Sequence, residues 1–344
     1  MKDLFQTLHQ AMLNNQAIVF VSVVADSGST PRGSGARMLV GQNGRLAGTI
    51  GGGAVEYRSE QLAQEVLEHK QSLIKPFRLA PNQIEDLGMI CGGNVTVYFQ
   101  YIAGGNPQIM ALCEEVDRLL AKNQNVWLIT ELAEDDNNWR MGIYSDQNGL
   151  SQIDLPPEAF TPYLQRKPVR FEYQGRKLYI EPLSFAGRCY IFGGGHISLE
   201  IVPLLSHLGF DCVVLEDRPE FANQQRFPQA KEVICGSLDD INALVKINAD
   251  DYVLVLTRGH AFDYVVQKQV LSLPNPPFYL GVIGSRGKVA QVKKRLRDEG
   301  GISEALLERI YSPVGLPIKA DTPAEIAISI AAELVLVRAE RLGR

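Results

Sequence analysis

Three glycines, Gly193, Gly194 and Gly195, break the apolar run Cys189–Phe192 and lead into His196. Ile197, Ile201, Leu204, Leu205 and Leu208 then recur at helical spacing, Gly209 ends the helix, and a second apolar run closes on Glu216 and Asp217. Strand, glycine turn, helix, strand and acid are the parts of a dinucleotide-binding βαβ unit. The glycines let the backbone approach a pyrophosphate, and the helix N-terminus stabilises its charge. The acid stands where a ribose hydroxyl would be bound. In G-x-G-x-x-G the third glycine falls on Ser198, which predicts a looser helix–strand contact, and His196 stands where many cofactor binders carry a small residue.

In an open parallel sheet, ligands lie beyond the carboxyl ends of the strands. Later apolar runs end at Gly236, at Thr257-Arg258-Gly259-His260 and at Gly284-Ser285-Arg286, with Lys288 close by. These residues are therefore expected to share one crevice with Gly193–His196, Glu216 and Asp217. Arg258, Arg286 and the helix N-termini suit a phosphate group. The alternative for His260 and Asp263 is that they cap the following helix.

A second constellation lies in the amino-terminal half. Nine glycines fall between Gly28 and Gly53, far above the share that 31 glycines in 344 residues would give, so the backbone is expected to use φ > 0 or to approach something closely. Arg32 and Arg37 stand among them, Gly51, Gly52 and Gly53 open a helix, and Cys91 borders Gly92 and Gly93. A glycine nest at a helix start binds anions through backbone N–H groups. Glu56 in the first turn suits the helix dipole. Cys91 borders a glycine turn, where a thiol can be exposed and a nearby arginine or helix N-terminus would lower its pKa; the alternative is a packing cysteine at a strand end. Cys113, Cys189, Cys212 and Cys235 read as small core residues, and no C-x-x-C pair suggests zinc or a disulfide framework.

The elements that must carry these residues fall into two halves, as 344 residues predict. Residues 1–182 read as α+β, with helices at Leu4–Leu13, from Gly53 to about His69 and at Pro107–Asn123, and with strands that outnumber them. Pro182–Gly187 reads as a linker. Residues 188–344 read as a Rossmann-like α/β domain with five strands, at Cys189–Phe192, Cys212–Leu215, Val233–Cys235, Tyr252–Leu256 and Phe278–Ile283. Its last helix starts at Thr322 as N-cap, with Pro323 at the first position and Glu325 closing a capping box. A net charge of −5 argues against a nucleic-acid surface. Neither the amino terminus, which lacks a secretory apolar core, nor the apolar Ile326–Val337 stretch, which holds Glu333, reads as a membrane segment, so a cytoplasmic location is expected.

GSTPRGSGARMLV (Gly28–Val40), GTIGGGAVE (Gly48–Glu56) and GMICGGNVTVYF (Gly88–Phe99) resemble the amino-terminal motifs of the XdhC/CoxI family, xanthine dehydrogenase accessory proteins that act in molybdenum cofactor delivery. IFGGGHIS, DRPEFANQQRFP, LTRGHAFD and YLGVIGSRGK resemble that family's Rossmann-like domain, and Ser312–Leu334 resembles its closing segment. The resemblance implies a non-catalytic, typically dimeric carrier. Such a carrier binds the molybdenum cofactor, as molybdopterin or its nucleotide form, holds it during sulfuration, and passes it to an apo molybdenum hydroxylase of the xanthine dehydrogenase type. A cysteine desulfurase would be a further partner. Molybdenum is thiophilic, so a Cys91 thiolate would serve as its ligand or as a sulfur relay. The Rossmann half alone supports a rival, an NAD(P)-dependent oxidoreductase, in which Glu216 would favour NAD.

Overall fold

The computed structural model describes residues 2–28, 30, 32–78, 93–134, 140–185 and 187–341, with the backbone alone for Lys2 and His260. Cys91 and Gly92 lie outside the described residues. The chain divides into two compact units, Met1–Phe185 and Ala186–Arg344.

The first unit is α+β, as its many short alternating runs predict. Its elements are α1 (Lys2–Leu13), β1 (Ile18–Ser27), β2 (Arg37–Gly41), β3 (Gly44–Thr49), α2 (Gly53–His69), β4 (Leu73–Arg78), β5 (Asn94–Ile102), α3 (Pro107–Leu120), β6 (Val126–Glu131), β7 (Met141–Ser145), β8 (Gly149–Ser151), α4 (Pro157–Phe160), β9 (Val169–Tyr173) and β10 (Arg176–Ser184). One antiparallel sheet has the order β3-β2-β1-β5-β4 and the other β8-β7-β6-β10-β9. In α1, Leu4, Phe5, Leu8 and Met12 are buried, while Leu13 at its end is exposed. Strand β4 pairs along β5; its sequence, LIKPFR, has only Phe77 buried, so it lacks the clean alternation that announces a strand. The expected linker shortens, because Pro182–Ser184 continue β10.

The second unit follows the expected α/β course. It contains β11 (Cys189–Phe192), α5 (His196–His207), β12 (Cys212–Glu216), β13 (Glu232–Cys235), β14 (Tyr252–Val255), α6 (His260–Leu271), β15 (Tyr279–Val282), α7 (Arg286–Asp298), α8 (Glu304–Glu308), β16 (Ile310–Tyr311) and α9 (Pro323–Arg341). The strands pair in parallel in the order β13-β12-β11-β14-β15-β16. Strand order reverses between β11 and β14, which is the switch point of a doubly wound sheet. Strands β11, β12 and β14 are buried along their whole length, as a parallel sheet covered on both faces requires. Helix α9 starts with the capping box read from the sequence: the Glu325 backbone N–H donates to Thr322 Oγ1 at 3.3 Å, and the Thr322 N–H donates to Glu325 Oε2 at 3.0 Å. Its buried Glu333 accepts from the Tyr279 hydroxyl and the Gly315 N–H, tying the helix to β15.

Candidate functional site

The glycine turn after β11 is built by close backbone approach. Gly193 has φ +113°, and a Cβ there would stand 2.4 Å from the Leu256 carbonyl oxygen. Only glycine accepts both conditions. The turn is thereby pressed against the end of β14, and the Gly193 N–H donates to Leu215 O at 2.8 Å, at the end of β12. Ser198 does not loosen the helix. It is fully buried, and its hydroxyl donates to Gly193 O at 2.5 Å. A hydrogen bond replaces the contact that a third glycine would have allowed.

Three helices, α5, α6 and α7, begin at this carboxyl edge, with Gly195, Gly259 and Ser285 at their N-caps. At none of the three does the N-cap residue supply a side-chain capping hydrogen bond. Helix N-termini carry partial positive charge and orphan N–H donors, so three uncapped ends along one edge make an electropositive rim. Helix α7 adds Arg286 and Lys288 in its first turn, both exposed, where cations oppose the dipole rather than satisfy it. His196 and Ser285 are exposed on the same rim. Of His260 only the backbone is described, at the first position of α6. Asp263 does not serve as an N-cap; it accepts from Thr257 Oγ1 at 2.6 Å. It lines a cavity of about 10 Å³ with Gln267, Lys288 and Ser312, room for a single water.

The two acids after β12 differ sharply. Glu216 is buried, and its carboxylate accepts from Gly194 N at 2.7 Å, Asp217 N and Arg218 N at 3.2 Å, Arg218 Nε at 2.9 Å and Arg218 Nη2 at 3.0 Å. Burial alone would raise its pKa; the bonds from Arg218, Asp217 and Gly194 outweigh it and pull the pKa to about 2. Asp217 is more accessible and pairs with Arg258 at 2.8 Å. Its pKa is raised, first by the hydrogen-bonded Glu216 carboxylate and then by burial, while the Arg258 charge opposes the rise.

The sequence reading missed Arg218, Phe221 and Arg226. The guanidinium carbons of Arg218 and Arg226 lie 3.9 and 4.9 Å from the Phe221 ring centroid, and Arg226 Nε donates to Gly194 O at 3.3 Å. This stacked group buttresses the glycine turn. Its signal was the cluster of arginines and phenylalanines in DRPEFANQQRFP. Cys235, expected in the core, is exposed at the end of the edge strand β13, whereas Cys113, Cys189 and Cys212 are buried. An edge strand has one unpaired flank, so its last side chain escapes burial.

In the first unit the nest at α2 holds an anion of the chain's own. Gly51, Gly52 and Gly53 have φ of 127°, 73° and 63°. Glu56 accepts from the N–H groups of Ile50 at 2.9 Å and Gly52 at 3.1 Å, from the Thr49 hydroxyl and from Arg45. Against burial, these donors lower its pKa. Arg37 is buried in an ion pair with Glu181 on β10, beside the Tyr179 hydroxyl. Burial holds the Glu181 pKa above the usual carboxylate range, with Arg37 opposing it. Arg32 is exposed and Gly93 buried. Thus Gly51–Gly53 and Glu56 come together, while Arg37 turns to an internal partner.

Comparisons with known proteins agree with this architecture. Residues 189–334 match the XdhC Rossmann domain and residues 11–77 match the XdhC and CoxI family, together more than half of the chain. A Bacillus subtilis protein named as a probable xanthine dehydrogenase subunit is 25% identical over 97% of this chain and 97% of its own length. The molybdenum cofactor insertion chaperone PaoD of Escherichia coli is 22% identical over 96% of this chain and 86% of its own. The E. coli protein YqeB is 24% identical over 94% of this chain, but the chain spans only 44% of its length. A Bacillus halodurans crystal structure bearing the name xanthine dehydrogenase has the same fold, with a TM-score of 0.79, 24% identity, and coverage of 99% of this chain and 96% of that one. Glycine turn, doubly wound sheet and both matched segments lead to one assignment: the chain belongs to the XdhC and CoxI family.

Proposed function

We propose that this protein is a maturation factor that carries the molybdenum cofactor as cargo and inserts it into an apo molybdenum hydroxylase of the xanthine dehydrogenase type. The observation that carries the reading is the rim of three uncapped helix N-termini with Arg286 and Lys288 at the sheet's switch point. Molybdopterin carries a phosphate, extended in some forms by a nucleotide, and such a rim suits that group. The names of two relatives, one a cofactor insertion chaperone and the other a probable component of xanthine dehydrogenase, support the same role.

In this reading Gly193–Gly195, His196, Arg258, His260, Ser285 and Arg286 receive the anionic end of the cargo. Glu216 keeps the turn in shape, since its oxygens already accept N–H groups of the chain. The same engagement weighs against an NAD(P) enzyme, whose ribose would use that acid. For the first unit we propose Arg32, Gly92 and Gly93 as anion-binding residues and Cys91 as the thiolate that would protect the molybdenum or relay sulfur from a cysteine desulfurase. A homodimer acting in the cytoplasm completes the proposal. No helix among the described residues is long and apolar enough to cross a membrane.

The test is purification from a host that makes the cofactor, followed by assay of molybdenum, pterin and nicotinamide in the protein. Molybdenum and pterin in comparable amounts are expected, with activation of an apo-hydroxylase on mixing. Nicotinamide without molybdenum or pterin would overturn the reading in favour of an oxidoreductase.

A further inference from the structure

We infer that Asp217 is a gate residue of the crevice: it holds Arg258 across the glycine turn until a phosphate group of the ligand takes its place. The inference rests on the reading that the crevice receives a phosphate-bearing ligand, and it adds what that ligand must displace.

Topology makes the argument. Strand β11 lies between β12 and β14, and its carboxyl end is the Gly193–Gly195 turn. Asp217 follows β12 and Arg258 follows β14. The 2.8 Å bridge between them therefore spans the end of β11, over the turn that a pyrophosphate would approach. Arg258 also stands one residue before the uncapped N-cap of α6, so a guanidinium released from Asp217 remains beside orphan N–H donors.

The neighbouring acid shows why Asp217 and not Glu216 is exchangeable. Glu216 is 3% exposed and is held by backbone and guanidinium donors on both oxygens. The side chains of Asp217 and Arg258 are 22% and 43% exposed, and an ion pair so open to water is weak. A phosphate brings more charge and more acceptor oxygens than one carboxylate, and it gains α6 N–H donors as well. Arg218 Nε lies 4.0 Å from Asp217 Oδ1 and offers the displaced carboxylate a second cation. Asp217 thus acts on ligand binding through Arg258.

The experiment is isothermal titration of inorganic pyrophosphate into the wild-type chain, Asp217→Asn, Arg258→Ala and the double variant at low ionic strength, with circular dichroism to check folding. Asp217→Asn should bind about two- to fivefold more tightly, the scale of an exposed ion pair. Arg258→Ala should bind about tenfold or more weakly, as for a lost charge-assisted hydrogen bond. In the Arg258→Ala background the Asp217 substitution should have a clearly smaller effect. Wild-type binding with no gain in Asp217→Asn, or an equal gain in both backgrounds, overturns the gate and leaves the phosphate crevice standing. Absence of pyrophosphate binding in every folded variant overturns both.

Discussion

Replacing Glu216 by glutamine should destabilise the second unit in a strongly pH-dependent way. Glutamine keeps the volume and one carbonyl oxygen, but it turns an N–H₂ group toward donors. If its oxygen keeps Asp217 N, Arg218 N and Arg218 Nε, then Gly194 N and Arg218 Nη2 lose their acceptor. The wild-type carboxyl falls from an ordinary 4.5 to about 2 on folding. At about 1.4 kcal/mol per pKa unit, the charged form contributes roughly 3 kcal/mol to stability at neutral pH. Because the folded pKa is the lower one, this contribution is complete above the unfolded value and disappears as pH falls toward 2. At pH 3 linkage leaves less than half of it. Urea unfolding of both proteins at pH 7 and pH 3, followed by far-UV circular dichroism, measures the two differences, and hydrogen exchange across residues 189–218 assigns the loss to this unit. A penalty equal at both pH values, or below about 1 kcal/mol at pH 7, would refute the role given to the carboxylate charge.

Four further outcomes are expected. Gly193→Ala should cost about 3 kcal/mol or more, since its Cβ meets the Leu256 carbonyl at a φ that alanine disfavours, and thermal unfolding measures it. Arg37→Ala leaves Glu181 buried without its cation and should cost about 3–5 kcal/mol in a urea titration, with the loss confined to the first unit. Glu56→Gln should expose the Ile50 and Gly52 amides to faster hydrogen exchange while α2 remains helical by circular dichroism. Folded Cys91→Ser should carry less molybdenum, or deliver cofactor lacking its sulfido ligand; activation of an apo-hydroxylase at the wild-type rate would reduce Cys91 to packing.

The doubly wound unit was legible in the sequence because its signals are local. Apolar runs such as Cys189–Phe192 bury every residue, Gly193 meets a steric requirement that no other residue satisfies, and Thr322 with Glu325 closes a cap within one turn. Runs, turns and caps place the helix N-termini along one edge without knowledge of any distant contact. Strand β4 escaped because its partner β5 supplies the order that LIKPFR lacks. Cys235 escaped because exposure depends on a strand's place in the sheet, and the order β13-β12-β11 is set by packing. The partners of charged groups were the least legible. Arg37 and Glu181 are 144 residues apart, and Asp217 and Arg258 are 41 apart. A sequence names the charges, but only tertiary structure decides which oxygen each donor meets. Coulombic and hydrogen-bond energies depend on separation and burial in space, which spacing along the chain does not encode.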